Sequence, residues 1–350
     1  MKSLFLFVLA MFVSHSYAYD ILLLGDIHYD SPDVRVESNP RNKEYGRNIK
    51  QWESAIPELL QKASIRSQDK IDFAVQLGDF IQGDCGTQEK HALALSQSIQ
   101  KMIEHLSVPL YLVKGNHDMR GEGGEAAYRE VAIPYMNEKL GVTNAIPGSA
   151  HYDVMYNGDL FIYYDSIRPS IEFLEGALKR HAAARRVFFF THLPVLPCSS
   201  GKQPDWILYG QRPNRPEERR RVLSLLAKHD AIVLCGHVHR CSLVRYRSEE
   251  GTITQLSLFS MAMDSNAADL TELHYPEDAY FASPNVINRA KEKAVEEVMN
   301  DFKGRYLEYT VFSPSPDFAV LKIEDDNVSA DLYLNNPTEA AKTLKLFPRE

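Results

Sequence analysis

The sequence predicts an α/β fold, and three observations carry that prediction. Five short β-type apolar runs each stop at a polar residue, usually after a glycine: 21–24 before Gly25-Asp26, 73–77 before Gly78-Asp79, 109–113 before Gly115-Asn116, 186–191 before His192, and 231–235 before Gly236-His237. Segments of helical periodicity separate the first three runs, so strand, helix, strand, helix, strand reads as parallel βαβ units. Beyond residue 150 the chain turns to hairpins, opening with Asn157-Gly158 between the runs 152–156 and 159–164, a type I′ turn signal.

Taken in order, 30–47 is polar and turn-rich, with Pro32 and Pro40, and reads as a loop over the ends of the strands. A helix is expected over 48–67 despite Pro57. Another spans 89–106, where Leu95, Ile99, Met102, Ile103 and Leu106 share one face; Met102 in such a stripe is core. Helix 171–183 and strand 186–190 follow. Residues 193–214 are Pro-rich, contain Trp206 and Tyr209, and directly follow His192, which suggests a substrate-facing flap. Pro216 suits the first turn of a helix running to 229. A hairpin of 241–247 and 252–259, an irregular stretch 260–284, a helix 286–302 and strands 306–312, 318–323 and 328–334 complete the chain. No linker or repeat divides it, so 19–350 reads as a single domain with two sheets packed together, the C-terminal helix and strands (286–334) completing it.

Composition bounds the function. The chain has 350 residues, 44% hydrophobic, ample for a large core. Its 39 Lys+Arg against 47 Asp+Glu leave a net charge of -8 and no basic run, which argues against nonspecific or sequence-specific nucleic-acid binding. Lys2, an apolar run 4–13, and Ser16 and Ala18 at the −3 and −1 positions form a signal peptide over 1–18. The mature chain is then expected to start near Tyr19, to be exported to the periplasm or the outside, and to have no membrane span. Cys85, Cys198, Cys235 and Cys241 lie near the strand ends; in an exported chain they read as one or two disulfide clips bracing loops, ahead of metal ligation.

Open α/β sheets bind ligands at the carboxyl ends of their strands. Were the five strands to share a sheet, Asp26, His28, Asp79, Asn116, His117, His192, His237 and His239 would converge. Carboxylates with neutral imidazoles suit Mn, Fe or Zn ions. Seven such ligands exceed one tetrahedral zinc and suit two ions around a bridging carboxylate, which together activate a water and clamp a phosphoryl group.

Asp26-x-His28, Gly78-Asp79, Gly115-Asn116-His117-Asp118, His192 and Gly236-His237-x-His239 resemble the five-block signature of the calcineurin-like metallophosphoesterases, in the family's order. The resemblance implies a four-layer αββα sandwich of two mixed sheets flanked by helices. It implies that Asp26, His28 and His239 hold one metal ion, Asn116, His192 and His237 the other, and that Asp79 bridges them. A metal-bridging hydroxide would attack a phosphoester, His117 would protonate the leaving oxygen as general acid, and Asp118 would orient His117. Gln82 stands where purple acid phosphatases carry a metal-binding Tyr, and Phe80-Ile81-Gln82-Gly83 replaces the Asp-Arg-Gly element of protein Ser/Thr phosphatases. The resemblance is therefore to the broad bacterial-type phosphodiesterase and phosphatase branches.

The expected partner is a small phosphorylated substrate. The site loops carry no basic cluster, which tilts the expectation toward a diester over a dianionic monoester. Arg120, Lys202, Arg212 and Arg240 are the candidates to neutralise a phosphate, and solvated loop charges are their plain alternative. Trp206 and Tyr209 are expected to anchor the flap more than to stack on a substrate. A pyrophosphatase acting on a nucleotide derivative, and a non-catalytic scaffold on the same fold, are the other readings; a scaffold would have lost ligands that this chain keeps. Oligomeric state is open.

Overall fold

The computed structural model describes residues 18–37, 39, 42–68, 70–142, 148–198, 206–210, 215–261, 269–276 and 292–347. Residues 1–17 of the proposed leader, Lys202 and Arg212 lie outside them. No helix among the described residues is long and apolar enough to cross a membrane.

The chain begins with β1 (Tyr19–Leu24), α1 (Asn42–Glu53), α2 (Ala55–Ser67), β2 (Ile71–Gln76), α3 (Gln88–His105), β3 (Leu110–Leu112) and α4 (Gly124–Leu140). Then come β4 (Tyr152–Tyr156), β5 (Asp159–Tyr164), α5 (Ile171–Arg180), β6 (Val187–Thr191), α6 (Pro216–Lys228), β7 (Ile232–Cys235), β8 (Cys241–Arg247) and β9 (Thr252–Ser257). The last elements are β10 (Thr271–His274), α7 (Glu292–Asn300), β11 (Tyr306–Ser313), β12 (Phe318–Ile323), β13 (Val328–Tyr333) and β14 (Lys342–Phe347).

The strands form two mixed sheets, one of six in the order β14-β13-β12-β1-β2-β3 and one of eight in the order β10-β11-β8-β9-β7-β6-β5-β4. The five ligand-bearing strands therefore do not share one sheet. β1, β2 and β3 run parallel in the first; β6 and β7 run parallel in the second. Strand alternation sorts side chains onto the two faces. Phe161, Tyr163, Phe188 and Phe190 join Ile21, Leu23 and Val75 in one core, while Leu160, Ile162, Val187 and Phe189 pack with Phe173, Leu174, Val222, Leu226 and Phe302 in another. The result is the expected four-layer αββα sandwich, with carboxyl ends of strands from both sheets meeting at one edge.

Several local expectations are corrected. The helix expected over 48–67 is two helices broken at Ser54, and α1 begins six residues earlier than the reading placed it. α4 and β14 occupy stretches where the sequence reading placed no element; α4 carries Pro134 inside it. β10 lies within the stretch read as irregular. α3 matches closely, started by Thr87, whose hydroxyl accepts from the Lys90 N–H at 3.3 Å.

The disulfide expectation fails: all four cysteines are free thiols, and all are buried. Cys85 and Cys241 are taken up in the core that joins the sheets and Cys198 in the other, while Cys235 donates weakly to the Leu256 carbonyl. Burial pushes the Cys85 and Cys198 thiols up to about 12, so each stays protonated and unreactive. A thiol reagent is expected to label no cysteine in the native protein and four after denaturation; a native disulfide would lower the second number.

Candidate metal centre

Each proposed ligand sits just past a strand end, and four of the seven stand on a backbone only a tightly held loop would tolerate. His28, Asp79, His237 and His239 have φ of 49°, 55°, 71° and 47°, in the left-handed region. Such conformations cost about 1–3 kcal/mol each and persist where surrounding contacts over-determine them. Those contacts are present. The Asp79 carbonyl accepts from the N–H groups of Ile27 at 3.1 Å and His28 at 2.8 Å, and the His237 N–H donates to both Asp26 oxygens at 3.1–3.2 Å. The glycines before the ligands permit the close approach: a Cβ on Gly115 would lie 2.1 Å from the Asp79 nitrogen, and one on Gly236 would lie 2.2 Å from Asp26 Oδ1.

Two constellations result. In one, His239 Nε2 is 3.0 Å from Asp26 Oδ2 and 3.0 Å from His28 Nε2, with His28 Nε2 3.9 Å from Asp26 Oδ2. In the other, His192 Nε2 is 3.2 Å from Asp79 Oδ2, 3.1 Å from Asn116 Oδ1 and 3.2 Å from His237 Nδ1. Two ligands each about 2.1 Å from an ion lie about 3.0 Å apart at a right angle and about 3.4 Å apart in a tetrahedron. All of these separations but the 3.9 Å one fall there, and the residues fit a metal ion in each constellation. Asp79 also groups with His28 and His117, so its carboxylate stands between the two sets. All seven predicted ligands are brought together.

The protonation states suit cations. Burial holds the His28 and His237 imidazoles well below their ordinary value, keeping them neutral as metal ligands must be. Burial alone would raise the Asp79 carboxyl, but the facing imidazoles of His192 and His117 outweigh it and hold it well below the usual range. Without an ion, burial opposes a charge on His192, yet Asp79 lifts that imidazole to about 10; a bound cation would take over this role. His192 Nδ1 lies 2.9 Å from the Leu77 carbonyl, which can only accept, so Nδ1 carries the proton and Nε2 offers its lone pair to the centre.

His117 stands beside His28, ring centroids 4.8 Å apart. Its Nδ1 is 2.7 Å from the Gln82 carbonyl, and its Nε2 is 3.3 Å from Arg120 Nη1. Arg120 is fixed by Asp84 at 2.8 Å, whose loop is held in turn by Arg35 through the Gly83 and Asp84 carbonyls. Asp118 does not take the role expected for it. The Gln82 carbonyl orients the imidazole, and Asp118 accepts instead from the N–H groups of Gly115 at 2.7 Å, Asp79 at 3.0 Å and Ile81 at 3.2 Å. It joins the loops after β2 and β3. Asp118→Ala would strand three buried donors, each worth about 1–3 kcal/mol. A denaturation midpoint falling together with metal affinity is expected; loss of turnover with unchanged stability would return Asp118 to the orienting role.

Arg240 is half-buried beside the centre, its carbonyl accepting from Ser257. Tyr209 anchors its loop, with its hydroxyl 3.0 Å from that of Tyr164 and the Arg215 guanidinium over its ring. Trp206 instead packs on His237, ring centroids 5.3 Å apart. The reading missed the segment after β9, where Ser260 Oγ and the Met261 N–H both donate to the Asp26 carbonyl.

A family model for calcineurin-like phosphoesterases matches residues 19–241. The chain belongs to that family. Its match ends just past His239, so every proposed metal ligand of this calcineurin-like chain falls inside it. Among solved structures, a dimetal phosphatase from Danio rerio superposes with a TM-score of 0.54 at 15% identity, covering 94% of this chain and 99% of that one. PhoD superposes with a TM-score of 0.52 at 12% identity, covering 90% of this chain and 65% of that one. At such identities the likeness is one of fold. No curated protein sequence matches the chain.

Proposed function

We propose that this protein is an exported, dinuclear-metal phosphodiesterase. The observation that carries the reading is the placement of the Asp79 carboxylate between two ligand sets whose donor atoms are spaced for metal ions. Asp26, His28 and His239 would hold one ion, Asn116, His192 and His237 the other, with Asp79 shared. When bound, the pair supplies an activated water and neutralises phosphoryl oxygens. The chain's own residues do the rest. The carbonyl of Gln82 accepts from Nδ1–H of His117 and so leaves Nε2 for the substrate; as an imidazolium the ring would pass its Nε2 proton to the leaving oxygen and return to the neutral Nδ1–H form. Arg120, already against Nε2, is placed to take charge from the phosphoryl group as the bond to the leaving oxygen lengthens. One guanidinium held by Asp84 supports a diester monoanion better than a monoester dianion.

Export rests on the leader, and the buried thiols are compatible with an oxidising compartment. Chelated protein is expected to be inactive on a bis-aryl phosphate and on the matching aryl phosphate. Re-metallation with Mn²⁺, Zn²⁺ or Fe²⁺ is expected to restore turnover, with the diester preferred. Preference for the monoester would overturn the diester assignment, and no turnover of either with two ions bound would favour the scaffold.

A further inference from the structure

Two aromatic side chains border the centre without holding an ion. Trp206 lies against His237, with centroids 5.3 Å apart and planes at 42°; Phe259 lies against His239, with centroids 6.3 Å apart and planes at 62°. Both rings are half-buried, so each keeps surface that the protein does not cover. Both stand on fixed backbone. Phe259 belongs to a segment pinned to two ligand loops: the Leu258 N–H donates to the Cys235 carbonyl at 2.8 Å, and Ser260 Oγ and the Met261 N–H reach the Asp26 carbonyl at 3.0 and 2.8 Å. The chains pass so closely that a Cβ on Gly25 would sit 1.8 Å from the Phe259 oxygen. Trp206 opens a turn whose next residues are buried, with the Leu208 N–H on the Pro194 carbonyl at 2.7 Å and Tyr209 bonded to Tyr164.

The two histidines do not need these rings to keep their places, since the Asp26 carboxylate already accepts from the His237 N–H and lies 3.0 Å from His239 Nε2. Half-exposed aromatic rings on rigid supports, one against a histidine of each ligand set, offer preorganised stacking faces next to where a phosphoryl group would bind. We propose that Trp206 and Phe259 form a subsite for a flat aromatic substituent of the phosphoester, an aryl ring or a nucleobase. This rests on the phosphoester reading above.

The test is calorimetry on the Mn²⁺-loaded protein with phenylphosphonate and methylphosphonate, which share a phosphoryl head and differ in the ring. The wild type is expected to bind phenylphosphonate at least about tenfold more tightly. Trp206→Ala and Phe259→Ala are each expected to weaken phenylphosphonate about tenfold while leaving methylphosphonate within about twofold. Trp206→Leu and Phe259→Leu keep an apolar side chain against the histidines and serve where an alanine variant does not fold, with the same split expected. Equal binding of the two ligands by the wild type, or parallel loss of both in the variants, would overturn the subsite and leave the rings as mere support. If neither phosphonate binds protein carrying two ions, the phosphoester reading fails, and the subsite with it.

Discussion

Asp79→Asn is expected to lose both metal ions and to drop in turnover by on the order of 10³-fold or more. The substitution is nearly isosteric, and the reasoning separates the two oxygens. Oδ1 accepts the His117 N–H at 2.7 Å, a bond that an amide oxygen can keep. Oδ2 faces His192 Nε2 at 3.2 Å, and there an amide NH₂ would present hydrogens to the position that must hold cations. The backbone carbonyl of Asp79, which holds Ile27 and His28, is untouched. The metal-free variant should therefore fold as the wild type does while calorimetry detects no tight metal. Two bound ions with full activity would contradict the shared carboxylate.

His117→Ala separates the acid from the metal centre. The variant is expected to retain both ions and to lose about 10²- to 10⁴-fold in turnover on an ester with a poor leaving group. The imidazole sits next to His28 but is held from outside the ligand sets, by the Gln82 carbonyl and Arg120. Its truncation removes a proton donor and spares the ligand atoms. The loss should shrink as the leaving alcohol becomes more acidic, because a nitrophenolate departs without help. Loss of both ions from the variant would sink this division of roles, and an equal loss for all leaving groups would deny the proton transfer.

How far the sequence could be read follows from what each signal depends on. A β-type run that stops at Gly and then a carboxylate or imidazole is a local pattern with a chemical reason, so Asp26, Asp79, Asn116, His192 and His237 were visible one by one. Their division between two sheets was not, because it depends on which strands pair, and β1 pairs with the distant β12 as well as with β2. α4 is hard to read from sequence because Pro134 sits inside it. The place of Asp118 is not local either: its partners are backbone N–H groups on loops brought together only by the fold. The acceptor that actually orients His117 is a backbone carbonyl, which any residue at position 82 would supply. Phe259 carries no motif, and its role rests on a segment clamped to Asp26 from 234 residues away. The cysteines misled because their nearness to ligands in sequence says nothing of which core each thiol enters.

The most direct test of the central claim is a titration of chelated wild-type protein with Mn²⁺, following bis-aryl phosphate turnover against ions bound per chain. Turnover is expected to rise with metal and to level at two ions per chain. Full turnover at one ion, or hydrolysis by the chelated protein, would contradict a shared Asp79 between two ions.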